Sequence, residues 1–206
     1  MGRASIPRGR RYGRDYYERW YRNPATRVKS AAELARTVAV AVALAEYHLE
    51  RPIRRVLDVG CGEGRWRAPL LRLRPRIDYL GVDASDWAVA RWGTRRNLQR
   101  LDLAELGTLK LRNPVDLLVC NDVIQYVPDA VLEPALAEFR RLCGGLMFVT
   151  AFTAEDEFIG DRAGWHARPA SWYRERLAAD GWSAIGSHAY IAPPLAERAA
   201  ALERAY

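Results

Sequence analysis

Two lysines stand against thirty arginines in this chain of 206 residues, so the formal charge of +7 is carried almost wholly by guanidinium groups. Clustered cations favour nucleic acid by releasing counterions, but a skew this extreme follows genome composition as readily as a partner. The dense cluster is N-terminal, where Arg3, Arg8, Arg10, Arg11 and Arg14 precede the first acid, Asp15. It reads as a solvated tail or as an arm for phosphate or an acidic substrate. Cysteine is scarce as well. Cys61, Cys120 and Cys143 are odd in number and follow no metal-ligand spacing, which excludes a disulfide framework and leaves small buried side chains as the reading. Long apolar runs are missing. The longest, residues 37–45, is too short to cross a bilayer, and no basic start with an apolar run and cleavage site opens the chain, so a cytoplasmic protein without membrane attachment is expected.

Half of the residues are hydrophobic and 28% are charged, the balance of a folded domain and not of a disordered or collagenous chain. The length suits one sizeable core. Residues 1–29 have an aromatic cluster, Tyr12, Tyr16, Tyr17, Trp20 and Tyr21, without apolar periodicity, and read as an appendage or lid on a domain of residues 30–206. Ser30 and Glu33 form a capping box, after which Leu34, Val38, Ala41, Ala45 and Leu49 recur at helical spacing until Pro52. Short β-rich runs at 56–59, 79–82, 97–101, 115–120 and 146–151 then alternate with helical stretches at 65–73, 85–96, 128–143 and 170–179. Gly144 and Gly145 serve as the stop of the third of these helices. Such alternation predicts an α/β fold, a doubly wound and mostly parallel sheet with helices on both faces. Residues 182–192 leave little room for two further strands and a loop.

The sharpest local signal is the strand Val56-Leu57-Asp58-Val59 running into Gly60-Cys61-Gly62-Glu63-Gly64 and then a helix. Glycines allow the tight turn and the close approach of a ligand to the backbone. Nineteen residues past Gly64, the second strand ends in Asp83, a carboxylate placed to accept hydrogen bonds from both hydroxyls of a ribose. The glycine spacing differs from the G-x-G-x-x-G of dinucleotide sites. Acidic Asp58 and Glu63 also suit a cationic amine or sulfonium better than a pyrophosphate.

These residues resemble the motifs of the class I, seven-stranded S-adenosylmethionine-dependent methyltransferases. Residues 56–64 are similar to their first motif, 81–85 to the second strand with its ribose acid, 101–103 to the third-strand end, 115–123 to the fourth strand and catalytic loop, and 144–149 to the entry of the fifth. The resemblance implies S-adenosyl-L-methionine as cofactor, with Gly60 and Gly62 beside its methionine part and Asp58 in the same motif. It further implies Asp83 and the following Ala84 at the ribose, Asp102 and Leu103 at the adenine, and Asn121 near the amino group. Asn23-Pro24-Ala25-Thr26-Arg27 resembles an upstream element of some small-molecule members, in which the arginine binds the cofactor carboxylate. A surface charge before a helix is the alternative for Arg27.

Methyl transfer needs chiefly an in-line approach with water excluded, plus a base where the acceptor must lose a proton. His166 and Tyr126 are the candidate bases or acceptor contacts, with Asp122 a poorer one. His48 and His188 read as structural. Glu155, Asp156 and Glu157 form a short acidic run, either a solvated loop or a preference for a cationic amine. Tyr16, Tyr17, Trp20 and Tyr21, with Trp165 and Trp172, supply either a lid with apolar walls or core packing. The acceptor is expected to be a small molecule methylated on oxygen or nitrogen. An RNA substrate is disfavoured because Asn121-Asp122-Val123-Ile124 lacks an N-P-P-aromatic clamp and no lysine matches a ribose-methylase tetrad; a noncatalytic cofactor-binding module is the other alternative. The oligomeric state is not legible.

Overall fold

The computed structural model describes residues 12–157 and 160–199, so Arg3, Arg8, Arg10 and Arg11 of the basic cluster lie outside the described residues. Seven strands form one sheet: β1 Arg55–Val59, β2 Asp78–Asp83, β3 Leu98–Arg100, β4 Val115–Asn121, β5 Cys143–Thr150, β6 Ser183–Gly186 and β7 Ala189–Ile191. Their order is β3-β2-β1-β4-β5-β7-β6. The first five are parallel, and β7 runs antiparallel between β5 and β6. The helices are α1 Arg14–Tyr17, α2 Ala31–Leu49, α3 Arg67–Leu73, α4 Asp86–Arg96, α5 Asp129–Leu142, α6 Ala170–Ala179 and α7 Pro193–Ala199.

Alternation along the central strands builds two cores. Leu57, Val59, Leu118, Cys120, Met147 and Val149 point to the face covered by Leu132, Leu136 and Phe139 of α5 and by Tyr173 and Leu177 of α6. Val56, Leu117, Val119, Leu146 and Phe148 point to the opposite face, under Val38, Ala41 and Ala45 of α2, Leu70 of α3 and Leu195 of α7. Period-two side-chain direction in strands buried on both sides thus explains their near-continuous apolar sequence. The capping box at α2 is formed, with Glu33 N–H donating to Ser30 Oγ at 3.2 Å and Ser30 N–H to Glu33 Oε2 at 2.7 Å. Cys61, Cys120 and Cys143 are buried free thiols.

Two expectations about the chain's later half are corrected. Residues 182–192 do hold two strands, because β6 and β7 are short and joined through Ser187 and His188, both left-handed with φ of 50° and 63°. Two left-handed residues make the tight turn whose twist matches an antiparallel pair. Gly144 and Gly145, read as the stop of the helix at 128–143, come after that helix has already ended at Leu142 and belong to β5, whose entry the resemblance of residues 144–149 implied. A Cβ on Gly145 would lie 2.1 Å from the Asp116 carbonyl oxygen, so glycine there serves a close backbone approach beside the register shift between Val115 and Leu117.

Candidate functional site

The carboxyl ends of the parallel strands open into a cavity of about 1280 Å³. Parallel α/β sheets place ligand crevices at this edge, where the strand order reverses, here between β1 and β4. Pockets for one small ligand run to roughly 300–1,000 Å³, so the volume suits two molecules better than one.

Its first wall is the glycine corner. β1 leads into Gly60, which has φ of 68°, and the N–H groups of Gly60 and Cys61 donate to the Val82 carbonyl at 2.8 and 3.1 Å. A Cβ on Gly60 would fall 2.4 Å from Val123 Cγ2, so conformation and space both require glycine. Asp83, 8% exposed, turns toward this corner. Its Oδ2 accepts from Gly62 N–H and its Oδ1 from Ser85 N–H, both at 2.7 Å. Burial raises the Asp83 pKa, and those two N–H groups and Arg100 pull it back. Asp58 lies beneath, where Tyr79 Oη donates to its Oδ2 at 2.7 Å. Burial pushes Asp58 up to about 7, opposed by that hydrogen bond and reinforced by the Asp83 charge. An acid poised there gains from any nearby cation.

A second wall joins the chain before α2 to the end of β4. Lys29 Nζ donates to Asn121 Oδ1 at 3.3 Å and to Asp122 Oδ2 at 3.4 Å. Asp122 has φ of 59°, and its Oδ1 accepts from Thr150 Oγ1 at 2.8 Å. Arg65 Nη2 donates to the Lys29 carbonyl at 3.1 Å, which brings two cations to one side of the cavity. The third wall comes from the turn Ile124–Tyr126 and residues 160–166, where His166 N–H donates to the Gln125 carbonyl at 2.8 Å.

The N-terminal aromatics close the glycine corner. After α1 the chain makes a π-helical turn, Glu18–Arg22. Tyr17 is 2% exposed and stacks on Trp87, with ring centroids 5.0 Å apart and planes 19° from parallel. A Cβ on Gly62 would meet Tyr21 Oη at 3.0 Å and Tyr17 Cε1 at 3.3 Å. The segment is fastened by the ion pair between Arg22 and buried Glu63. Burial raises the Tyr17 pKa and the neighbouring Asp83 charge raises it further, which keeps the phenol neutral.

Asp58, Gly60, Gly62, Asp83, Ala84, Asp102, Leu103, Asn121, Tyr126 and His166 all line this cavity. Arg27 does not; it is exposed on the surface, and Lys29 and Arg65 are the cations that reach the cavity from this region. Glu63 also turns away, receiving Trp92 Nε1–H at 3.2 Å and pairing with Arg22. The acidic run faces solvent: Asp156 accepts from Thr153, and Glu155 Oε2 caps α6 by accepting from Ala170 N–H at 3.0 Å. Trp165 and Trp172 lie outside the cavity, whereas Tyr16, Tyr17, Trp20 and Tyr21 line it. His48 is buried on α2 and His188 exposed in the β6–β7 turn, both away from it.

Sequence reasoning missed Lys29, Arg65, Gln125 and Arg168. The rarity of lysine was the only hint for the first. Arg168, 6% exposed, donates to Asp129 Oδ1 at 2.8 Å, to the Ile124 and Val127 carbonyls at 3.3 and 2.5 Å, and to Tyr173 Oη at 3.3 Å. These bonds tie the loop bearing His166 to the loop after β4. No local pattern announces a contact spanning about forty residues.

Residues 57–144 match the family described as methyltransferase domain. Trans-aconitate 2-methyltransferase of Deinococcus radiodurans is 35% identical over 80 residues, 39% of this chain and 31% of that protein. The Methylobacterium nodulans enzyme of the same name is 36% identical over 111 residues, 53% of this chain and 42% of that protein. The matches thus span only 31% and 42% of the length of these curated relatives. Solved structures share this fold. A SAM-dependent methyltransferase from Archaeoglobus fulgidus superposes with a TM-score of 0.60 at 17% identity, covering 75% of this chain and 70% of that one. The cyclase SpnF superposes with a TM-score of 0.57 at 24% identity, covering 81% and 63%.

Proposed function

We propose that this chain is an S-adenosyl-L-methionine-dependent methyltransferase acting on oxygen or nitrogen of a small-molecule acceptor. The observation that carries the reading is the buried Asp83 carboxylate at the Gly62 corner of a cavity roomy enough for a nucleoside and a second small molecule. The donor set fits the cofactor. Each Asp83 oxygen keeps a lone pair beyond its backbone bond, which serves the two ribose hydroxyls. Gly60 and Gly62 leave backbone open beside the methionine part, Ala84, Asp102 and Leu103 border the nucleoside, and Asn121 with Asp122 offers acceptors to the amino group. Lys29 and Arg65 take the carboxylate in place of Arg27. Asp58, with its raised pKa, adds negative charge below the corner once a cation is near.

When bound, the cofactor supplies a methyl group activated by its sulfonium charge. The residues of this chain then orient the acceptor and exclude water. Tyr16, Tyr17, Trp20 and Tyr21 act as the lid, and because Tyr17 and Tyr21 rest on Gly62, ligand entry requires their displacement. Tyr126 and His166 stand on the acceptor side. The relatives' names make trans-aconitate the first acceptor to try. A cytoplasmic location belongs to the same proposal, supported by three thiols that are buried and unpaired.

The test is calorimetric titration with the methyl donor and with S-adenosylhomocysteine, followed by transfer of labelled methyl to pools of small acids, phenols and amines. Binding with turnover on one pool is expected. No affinity for either ligand rejects the proposal, binding without turnover on any pool makes the chain a cofactor-binding module, and salt-dependent retention on RNA with methylation of it moves the substrate to nucleic acid.

A further inference from the structure

Gln125 lies in the turn Ile124–Tyr126 after β4 and lines the cavity. Its side chain is 0% exposed, yet neither Nε2 nor Oε1 has a hydrogen-bond partner among the described residues. An unpaired primary amide is costly to bury, and methionine or leucine would fill the same space without that cost. Its surroundings do not relieve it. The Arg168 guanidinium nearby is taken up by Asp129, Tyr173 and the Ile124 and Val127 carbonyls, while Ile124 and Val127 themselves pack into the core. Other polar groups of the cavity are already engaged: Asp83 with Gly62 and Ser85, Asp122 with Thr150, Asn121 and Lys29, and Asp102 with Ala104. The Gln125 backbone carbonyl receives His166 N–H, so the turn that carries the amide adjoins the wall bearing His166.

We infer that Gln125 is the acceptor-recognition residue of this site, and that it takes an acyl group with an oxygen acceptor and a proton donor side by side, a carboxylic acid or a carboxamide. Nε2–H donates to the acyl oxygen while Oε1 accepts from the acid O–H or the amide N–H. A planar partner of this kind satisfies both unpaired atoms at once, whereas an ether or a tertiary amine satisfies one or neither. An amide does not take up a proton at neutral pH, so Gln125 positions the acceptor and leaves any proton transfer to other groups. The inference rests on the methyl-transfer reading but on its acceptor half alone.

The test compares the wild type with Gln125→Met, whose side chain is of similar length and apolar. If the amide is unpaired in the free protein, Gln125→Met melts at the same temperature or a few degrees higher. The melting shift produced by S-adenosylhomocysteine stays unchanged. A fall of several degrees shows that the amide has structural partners and overturns the inference; loss of the S-adenosylhomocysteine shift in the variant alone overturns the assignment to the acceptor side. Loss of that shift in the wild type as well is instead the failure of the cofactor reading. In 15N-labelled protein with S-adenosylhomocysteine bound, the Gln125 side-chain amide pair is assigned as the pair missing from Gln125→Met. Benzamide or trans-aconitate at acidic pH is expected to move it, and phenol and aniline to leave it in place. A pair that no acyl probe moves, or that phenol and aniline move equally, overturns the acyl specificity.

Discussion

Asp83→Ala separates the bracing of the glycine corner from the ribose binding proposed for the same carboxylate. Its oxygens accept from Gly62 N–H and Ser85 N–H at 2.7 Å while the residue is 8% exposed, so the substitution strips two buried donors of a charged acceptor. A hydrogen bond to a charged group contributes roughly 1.5–3 kcal/mol, and relief of the buried charge returns part of that, so a net loss of about 2 kcal/mol is expected. In a chain of this size that is a fall of roughly 4–8 °C in melting temperature. Loss of both ribose bonds separately weakens S-adenosylhomocysteine by about 1–3 kcal/mol, or five- to 150-fold in Kd. Calorimetry and thermal melting on the same preparations resolve the two effects, and Asp83→Asn, which keeps one acceptor oxygen, falls between wild type and alanine in both. If the alanine variant melts lower yet binds with unchanged affinity, the carboxylate only braces the glycine corner and the ribose assignment is wrong.

Other perturbations follow from the same geometry. Asp58 is raised to about 7 against an ordinary carboxylate near 3.9, so the folded protein holds its proton more tightly and stability falls as pH rises through that window, by at most about 4 kcal/mol. Asp58→Asn should remove this slope and melt higher than wild type at pH 8; a variant equally destabilised at pH 5 and pH 8 contradicts the assignment. Tyr17→Ala empties a position that is 2% exposed and should cost about 3 kcal/mol, while speeding association of S-adenosylhomocysteine in stopped flow. A slower association would mean that the segment does not obstruct entry. Arg27→Ala should leave cofactor affinity as it is, whereas Lys29→Met or Arg65→Met should weaken it about tenfold, the loss of one charge-assisted contact. The reverse ranking would restore the upstream arginine to the carboxylate.

What the sequence displayed and what it hid divide along physical lines. The central parallel strands β1, β4 and β5 were legible because burial on both faces enforces apolar runs, and the glycine corner because a Cβ on Gly60 would fall 2.4 Å from Val123 Cγ2. Asp83 was legible because its place at a strand end is local to its motif. The β6–β7 hairpin was not, since its turn is built by Ser187 and His188 in place of the usual Asn-Gly pair and its strands are three and four residues long. Arg27 and Lys29 are two residues apart, and nothing local says which one turns inward. Arg168 and Gln125 acquire their meaning from contacts across the fold, where one cationic side chain is saturated and one amide has no partner among the described residues. Patterns report the periodicity of burial well and report long-range polar pairing poorly.

The central claim is that the Gly62–Asp83 corner holds the nucleoside of a methyl donor. Titration of the whole chain with S-adenosylhomocysteine in a calorimeter addresses it most directly. Saturable binding of one ligand per chain, weakened in Asp83→Ala and untouched in Arg27→Ala, is the predicted result. An absence of heat together with an unmoved melting temperature at millimolar ligand would contradict it.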